Sequence, residues 1–459
     1  EVYEYGSFVQ SKMYHEGVRC TDCHNPHSTQ LRYSGNQLCT QCHQPGKYDG
    51  PGHHRHAASE PGSAPTQCVS CHMPTRTYMV IDDRRDHSLR IPRPDLSMEL
   101  GTPNACNQCH DKPEETAAWA AGKIVEWYGP QRPDDPHYGR ALHAAQLQSP
   151  DGEALLAEAL RRRQTPDIVR ATATALLAGY PTPESQRLRQ QGLADPSPTV
   201  RAAAARTAMA DSAGQLVTAV RPLLDDAVRL VRSAAASRLV AALGQIGQSP
   251  LRGALMEAID DYRAGQQVNL DRIEAHLSLG SLAEQLGDVE GAARSFRDAI
   301  RVEPYRAGPR RELARLLEMV SRESEYASLR ETLRATPAAI RRYRVQEVDL
   351  LARDAELLPR DAQPRYDRGM LLYLLGELDE ARAAFEDAVR VAPASYPSWM
   401  ALALICERQQ RWEDAARAIQ QMKELQPEAQ DWRAVLLRMR DTIVAQQAAE
   451  SAGDGADDD

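Results

Sequence analysis

Cys20-Thr21-Asp22-Cys23-His24, Cys39-Thr40-Gln41-Cys42-His43, Cys68-Val69-Ser70-Cys71-His72 and Cys106-Asn107-Gln108-Cys109-His110 are four copies of one pentapeptide, C-x-x-C-H. The pattern is the attachment signature of a c-type haem. Two thiols at this spacing add to the two vinyl groups of one porphyrin edge, and the next residue turns an imidazole onto the iron from one face. A Cys pair alone also fits half a zinc ribbon, a thioredoxin-like redox pair or a disulfide. A zinc ribbon demands no His directly after its second Cys, yet all four pairs have one in a chain with 13 His among 459 residues. Four covalent haem c groups are therefore expected, with zinc as the alternative. Their anchors are Cys20 and Cys23, Cys39 and Cys42, Cys68 and Cys71, and Cys106 and Cys109; their proximal ligands are His24, His43, His72 and His110.

A Pro follows each proximal His closely, at Pro26, Pro45, Pro74 and Pro113, and stops any helix begun at the motif after about a turn. Residues 1–112 are thus expected to be irregular, wrapped around haems that form the core, because so short and polar a segment cannot bury enough apolar surface by itself. Each iron has a sixth position whose occupant decides between electron transfer and catalysis. The spare imidazoles are His15, His27, His53, His54, His56 and His87, enough to close all four irons. His27 lies three residues past His24, cannot reach the far face of its own haem, and is expected to ligate a neighbour. His87 precedes the extended Ile91-Pro92-Arg93-Pro94 and is the second candidate. One ligand is expected from His53, His54 and His56, and His15 is the fourth choice. Met13, Met73, Met79 and Met98 are the runners-up.

Cys20-x-x-Cys-His-Asn-Pro-His27, a spacer with Leu31 and Leu38, and then Cys39-x-x-Cys-His43 resemble the paired C-x-x-C-H module of multihaem c-type cytochromes. Ser11-Lys12-Met13-Tyr14, Arg85-Asp86-His87-Ser88 and Gly101-Thr102-Pro103-Asn104-Ala105-Cys106 further resemble a bacterial subgroup in which such a region is fused to tetratricopeptide repeats. The resemblance implies electron-transfer units with mostly bis-His haems. It also implies that this chain is the C-terminal part of a larger cytochrome with more motifs upstream.

Working outward, a linker helix is expected within 113–137, begun near Asp111 and Pro113 and ended by Gly129-Pro130, with Trp119 and Trp127 on one face. Val169-Arg170, Val200-Arg201 and Val231-Arg232 then recur every 31 residues, with Ala173, Ala204 and Ala235 in step. That period predicts HEAT-like two-helix repeats over 138–260. The Arg after each Val is read as a bridge between repeats in preference to a site for an acidic partner. Over 266–440 the period changes. Gly280, Ala292, Phe296, Ala299 and Pro304 fit the tetratricopeptide pattern, repeated by Gly369, Ala381, Phe385, Ala388 and Pro393 and again by Ala403, Ala415, Ile419 and Pro427. Residues 307–360 read as eroded repeats, and 446–459 as an acidic disordered tail. The expected fold is all-α, an irregular haem-packed region followed by an α-solenoid of HEAT-like and TPR helix pairs.

The net charge of −9, made more negative by haem propionates, excludes nucleic acid as a natural partner. No stretch approaches the roughly 20 apolar residues of a membrane span. Haem is attached to C-x-x-C-H outside the bacterial inner membrane, so a periplasmic or extracellular location is expected, with an export signal not present in this chain. The function expected is an electron relay through closely spaced haems. Redox proteins are the expected partners, with a protein or peptide on the TPR surface. The alternatives are a haem enzyme of the nitrite or hydroxylamine type with one open iron, a TPR scaffold whose haems are structural or redox-sensing, and a haem filament.

Overall fold

The computed structural model describes residues 4–57, 59–78, 81–131, 136–162, 165–243 and 250–453. The chain is predominantly helical and divides into two compact units, Glu1–Ala144 with Gly152–Ala173, and Ala145–Asp151 with Thr174–Asp459. The first unit therefore continues beyond residue 112.

In the first unit the motifs make single turns: helical at Cys20–Cys23, Gln37–Thr40 and Cys68–His72, and 3₁₀ at Cys106–Gln108. An element the sequence reading lacks is a hairpin of Thr75–Tyr78 with Asp82–Arg85, antiparallel, with Thr75 opposite Arg85 and Tyr78 opposite Asp82. The alternation in Thr75-Arg76-Thr77-Tyr78 was its signal. The expected linker helix is Ala117–Tyr128, capped by the Thr116 hydroxyl, which accepts from the Trp119 N–H, and closed at Gly129 with φ +80°. It packs on the Pro94–Leu100 helix and is part of the first unit. Among the described residues up to Tyr128, the buried apolar side chains are only Phe8, Pro94, Leu96, Ala120 and Ala121. Five such residues cannot make a core for a segment of that length.

The 31-residue period is a packing register. Val169, Val200 and Val231 are buried, and Ala173, Ala204 and Ala235 are each 0% exposed. In the second unit, Arg201 makes a two-pronged bond to Asp226 (Nε to Oδ2 2.8 Å, Nη2 to Oδ1 3.1 Å), and Arg232 bonds Asp261 at 2.8 Å, each joining one repeat to the next. The tetratricopeptide pairs are Ile273–Gln285 with Val289–Val302, Gln363–Leu375 with Leu378–Val391, and Tyr396–Arg408 with Trp412–Leu425. A Cβ on Gly280 would lie 2.5 Å from the Phe296 ring, and one on Gly369 2.6 Å from Phe385, so only glycine admits those rings. In the third pair Ala403 replaces Gly and Ile419 replaces Phe, which restores the space. Cys406 is fully buried there, with its thiol pushed up to about 11 by burial, as suits a packing residue.

The eroded stretch holds Pro309–Arg322, the short Leu329–Leu333 and the 21-residue Pro337–Leu357. The tail expectation needs correction. The last helix runs Asp431–Gly453, past residue 446, because Gln446-Gln447-Ala448-Ala449-Glu450 are good helix formers and no Gly or Pro intervenes before Gly453. Residues 454–459 lie outside the described residues, as does Met79.

Candidate haem-binding site

The turn at each motif does local chemical work. His24 N–H donates to Cys20 C=O at 2.8 Å, His43 N–H to Cys39 C=O at 3.0 Å and His110 N–H to Cys106 C=O at 3.0 Å. This winding brings the two cysteines to one side of the turn and presents the imidazole one position on. All eight motif thiols are free. The attachment points follow one another in chain order. Thiols of successive motifs are neighbours: Cys23 and Cys42, Cys39 and Cys68, and Cys71 with Cys106 and Cys109. The closeness of Cys39 and Cys68 holds the Cys68 thiol below and the Cys39 thiol above the ordinary value, and burial pushes Cys71 up to about 11.

The imidazoles are arranged in pairs from distant parts of the chain. Ring centroids of His24 and His87 are 6.4 Å apart with planes at 28°, those of His72 and His53 6.1 Å apart at 9°, and those of His110 and His56 6.1 Å apart at 33°. Direct stacking would bring the rings far closer. Two imidazoles bound end-on to one metal have centroids roughly 6 Å apart, since each metal–nitrogen bond is about 2 Å and each nitrogen lies about 1 Å from its ring centre. The separations thus fit an intervening iron.

The ring nitrogens fit it too. Nδ1–H of His24 donates to Thr29 C=O at 2.8 Å, that of His72 to Arg90 C=O at 2.9 Å and that of His87 to Arg85 C=O at 3.0 Å. Each bond holds the proton on Nδ1 and leaves Nε2 bare for a metal. His110 Nδ1 instead meets the Glu115 carboxylate at 3.2 Å, which holds that carboxyl below the usual range. His53 is held below the ordinary imidazole value by burial first, then by His72, His54 and Arg55.

Several supporting residues carry no motif. Asn36 Nδ2 donates to Asp49 at 2.6 Å and to Thr66 C=O at 2.9 Å, while its Oδ1 accepts from the Cys68 N–H at 2.9 Å, tying the third motif to the approach to the second. On the Ala117–Tyr128 helix, Trp119 lies 4.7 Å from the His110 ring, and the Tyr128 hydroxyl donates to His53 C=O. Those two helix positions are nine residues apart, on the order of 13 Å along the axis. Trp119 thus contacts a motif histidine directly. Nothing in sequence spacing marks Asn36, Tyr128 or Glu115.

The other candidates are placed as follows. His43 meets Tyr48 edge-on at 5.8 Å, and Tyr48 in turn meets His53 at 5.5 Å. His27 is exposed, with its N–H on Asn25 Oδ1 at 2.9 Å. His54 stands 6.1 Å from His56, and His15 lies against Tyr14. Met98 is exposed, and Met13 and Met73 are half-buried.

Comparison with known proteins agrees with both halves. Residues 12–48 match the doubled CXXCH motif, and residues 252–311, 349–395 and 366–429 match the tetratricopeptide repeat. The chain thus combines the features of a multihaem cytochrome with those of a TPR protein, and the doubled motif points to covalent haem c. No curated protein matches the chain. Similar solved structures include a thermophilic TPR protein of Thermus thermophilus (20% identity, 46% of this chain and 99% of that one, TM-score 0.31). Another is MamA (19% identity, 39% and 91%, TM-score 0.28). Scores this low carry no argument about function. No helix among the described residues is long and apolar enough to cross a membrane.

Proposed function

We propose that the chain is an exported electron-transfer cytochrome carrying four haem c groups in chain order, held mainly by two histidines each. The observation that carries this reading is the set of imidazole pairs His24 with His87, His72 with His53, and His110 with His56, at 6.1 to 6.4 Å. A bis-imidazole haem exchanges one electron between ferric and ferrous states with little rearrangement. The residues would do the rest: the motif cysteines would hold the porphyrins as thioethers, the carbonyl-bonded Nδ1–H groups would orient the imidazoles, and Cys39 and Cys68, whose thiols are neighbours, would anchor the second and third groups near one another. His27 would then serve the haem on His43, since it cannot reach round its own haem and, among the described residues, no other imidazole stands against it. Attachment chemistry on the outer side of the bacterial inner membrane supports a periplasmic or extracellular location. The tetratricopeptide helices, with Met370, Leu374 and Leu404 exposed, support docking of a protein partner.

A second reading has one observation in its favour: the ring met by His43 is the phenol of Tyr48. Under it the iron on His43 is open and binds a small substrate. The deciding experiment is the optical spectrum of dithionite-reduced holoprotein before and after carbon monoxide. Low-spin bands at four haems per chain, unmoved by carbon monoxide, support the relay. A shift in one quarter of the haem supports the open iron, and an absence of haem bands returns the Cys pairs to zinc.

A further inference from the structure

The three motif histidines with a bonded Nδ1 do not have equivalent partners. His24 and His72 donate to neutral main-chain carbonyls of Thr29 and Arg90, whereas His110 donates to the Glu115 carboxylate at 3.2 Å. The main chain that bears Glu115 is fixed beside the ring. Asn107 Nδ2 donates both to Glu115 C=O at 2.5 Å and to His110 C=O at 2.9 Å, and Asn104 accepts from the Asn107 N–H at 3.1 Å. The Glu115 side chain is 16% exposed, and its nearest cation is Lys112 Nζ at 4.0 Å. Trp119 covers the His110 ring at 4.7 Å.

An anion at Nδ1–H pulls the proton outward and enriches Nε2 in electron density. A metal bound there is then stabilised in its more oxidised state, and it is stabilised more strongly where water is kept from the pair. We propose that Glu115 is a positioning residue that sets the haem of the fourth motif at a lower potential than the haems on His24 and His72. The relay then has a direction, with an electron supplied by an external reduced redox protein at the fourth motif passing toward the earlier ones. One electron given up by a haem held at His110 would be taken up by a haem held at an earlier motif, so the transfer would balance. The proton stays on His110 Nδ1 throughout. This inference rests on the haem reading above.

The test is a spectroelectrochemical titration of the full-length holoprotein, wild type against Glu115→Gln and Glu115→Asp. Glu115→Gln is expected to retain four low-spin haems while one midpoint potential of the four moves upward and three stay. Glu115→Asp, which keeps the charge on a shorter arm, should move the same haem upward by less. Four unmoved potentials with all haems bound would overturn the proposal. Should Glu115→Gln lose a haem, the Asp variant decides: a smaller upward move in one haem supports the assignment, and none overturns it. Absence of haem in the wild type would be a failure of the haem reading itself and is seen before any titration.

Discussion

His53 and His72 face each other with ring centroids 6.1 Å apart and planes 9° from parallel, although 18 residues, the third Cys pair among them, separate the two in sequence. The Tyr128 hydroxyl bonds the His53 carbonyl, and Arg55 lies over the Tyr128 ring at 5.5 Å, so the turn bearing His53 is held from the Ala117–Tyr128 helix.

From that pair the first expectation follows. His53→Ala removes an imidazole but no thiol, so four haems remain attached while one quarter becomes high-spin and binds carbon monoxide. Pyridine haemochrome and carbon monoxide difference spectra read the two quantities separately. An unchanged carbon monoxide spectrum would refute the pairing.

Cys23→Ser is expected to remove or loosen one haem and leave the solenoid folded. Its helices from Pro183 onward belong to the second compact unit, which none of the motif cysteines enters. Haem per chain should fall by up to one, with far-ultraviolet circular dichroism retained; a full four haems would contradict the assignment.

Gly369→Ala sets a methyl 2.6 Å from the Phe385 ring and is expected to cost about 1–3 kcal/mol of stability through overpacking. Combined with Phe385→Ile, the loss should be smaller than the sum of the two singles, because the third repeat already pairs Ala403 with Ile419. Urea unfolding of the four proteins measures the coupling, and strict additivity would refute it.

The two-pronged Arg201–Asp226 bond holds the Asp226 carboxyl below its ordinary range, the hydrogen bond from Arg201 being the first cause. A depressed carboxyl stabilises the fold fully above the unfolded-state value, about 3.9. It loses that contribution as pH falls through the lowered folded value. Asp226→Asn is therefore expected to cost about 1 kcal/mol near neutral pH, and the difference from wild type should shrink as acid protonates the native carboxylate. Urea midpoints across the acid range check the sign. A difference that grows on acidification would be the wrong one.

Much of this architecture could be read from the chain because its signals are local or periodic. Val169, Val200 and Val231 announce their burial by recurrence alone, and Gly280 and Gly369 announce the close approach of Phe296 and Phe385. The hairpin at Thr75–Tyr78 was missed because four residues of alternation between two loops are a weak signal beside the adjoining motif. The helix through Gly453 was missed because an acidic, Ala-rich end reads as solvated tail, whereas helix propensity lets it extend the preceding turns.

The sequence by itself determined the covalent chemistry and the repeats. A C-x-x-C-H pentapeptide carries both thiols and an imidazole within one turn, and a fixed period places the same face inward in every helix pair. Only the tertiary structure decided which imidazole meets which. His24 finds His87 and His110 finds His56 across loops whose course depends on the hairpin, on Asn36 and on the Ala117–Tyr128 helix. It also decided that Glu115, five residues past His110 and unmarked by any motif, supplies the carboxylate on that ring. Such pairings arise from long-range packing of irregular chain, which neither spacing nor periodicity encodes.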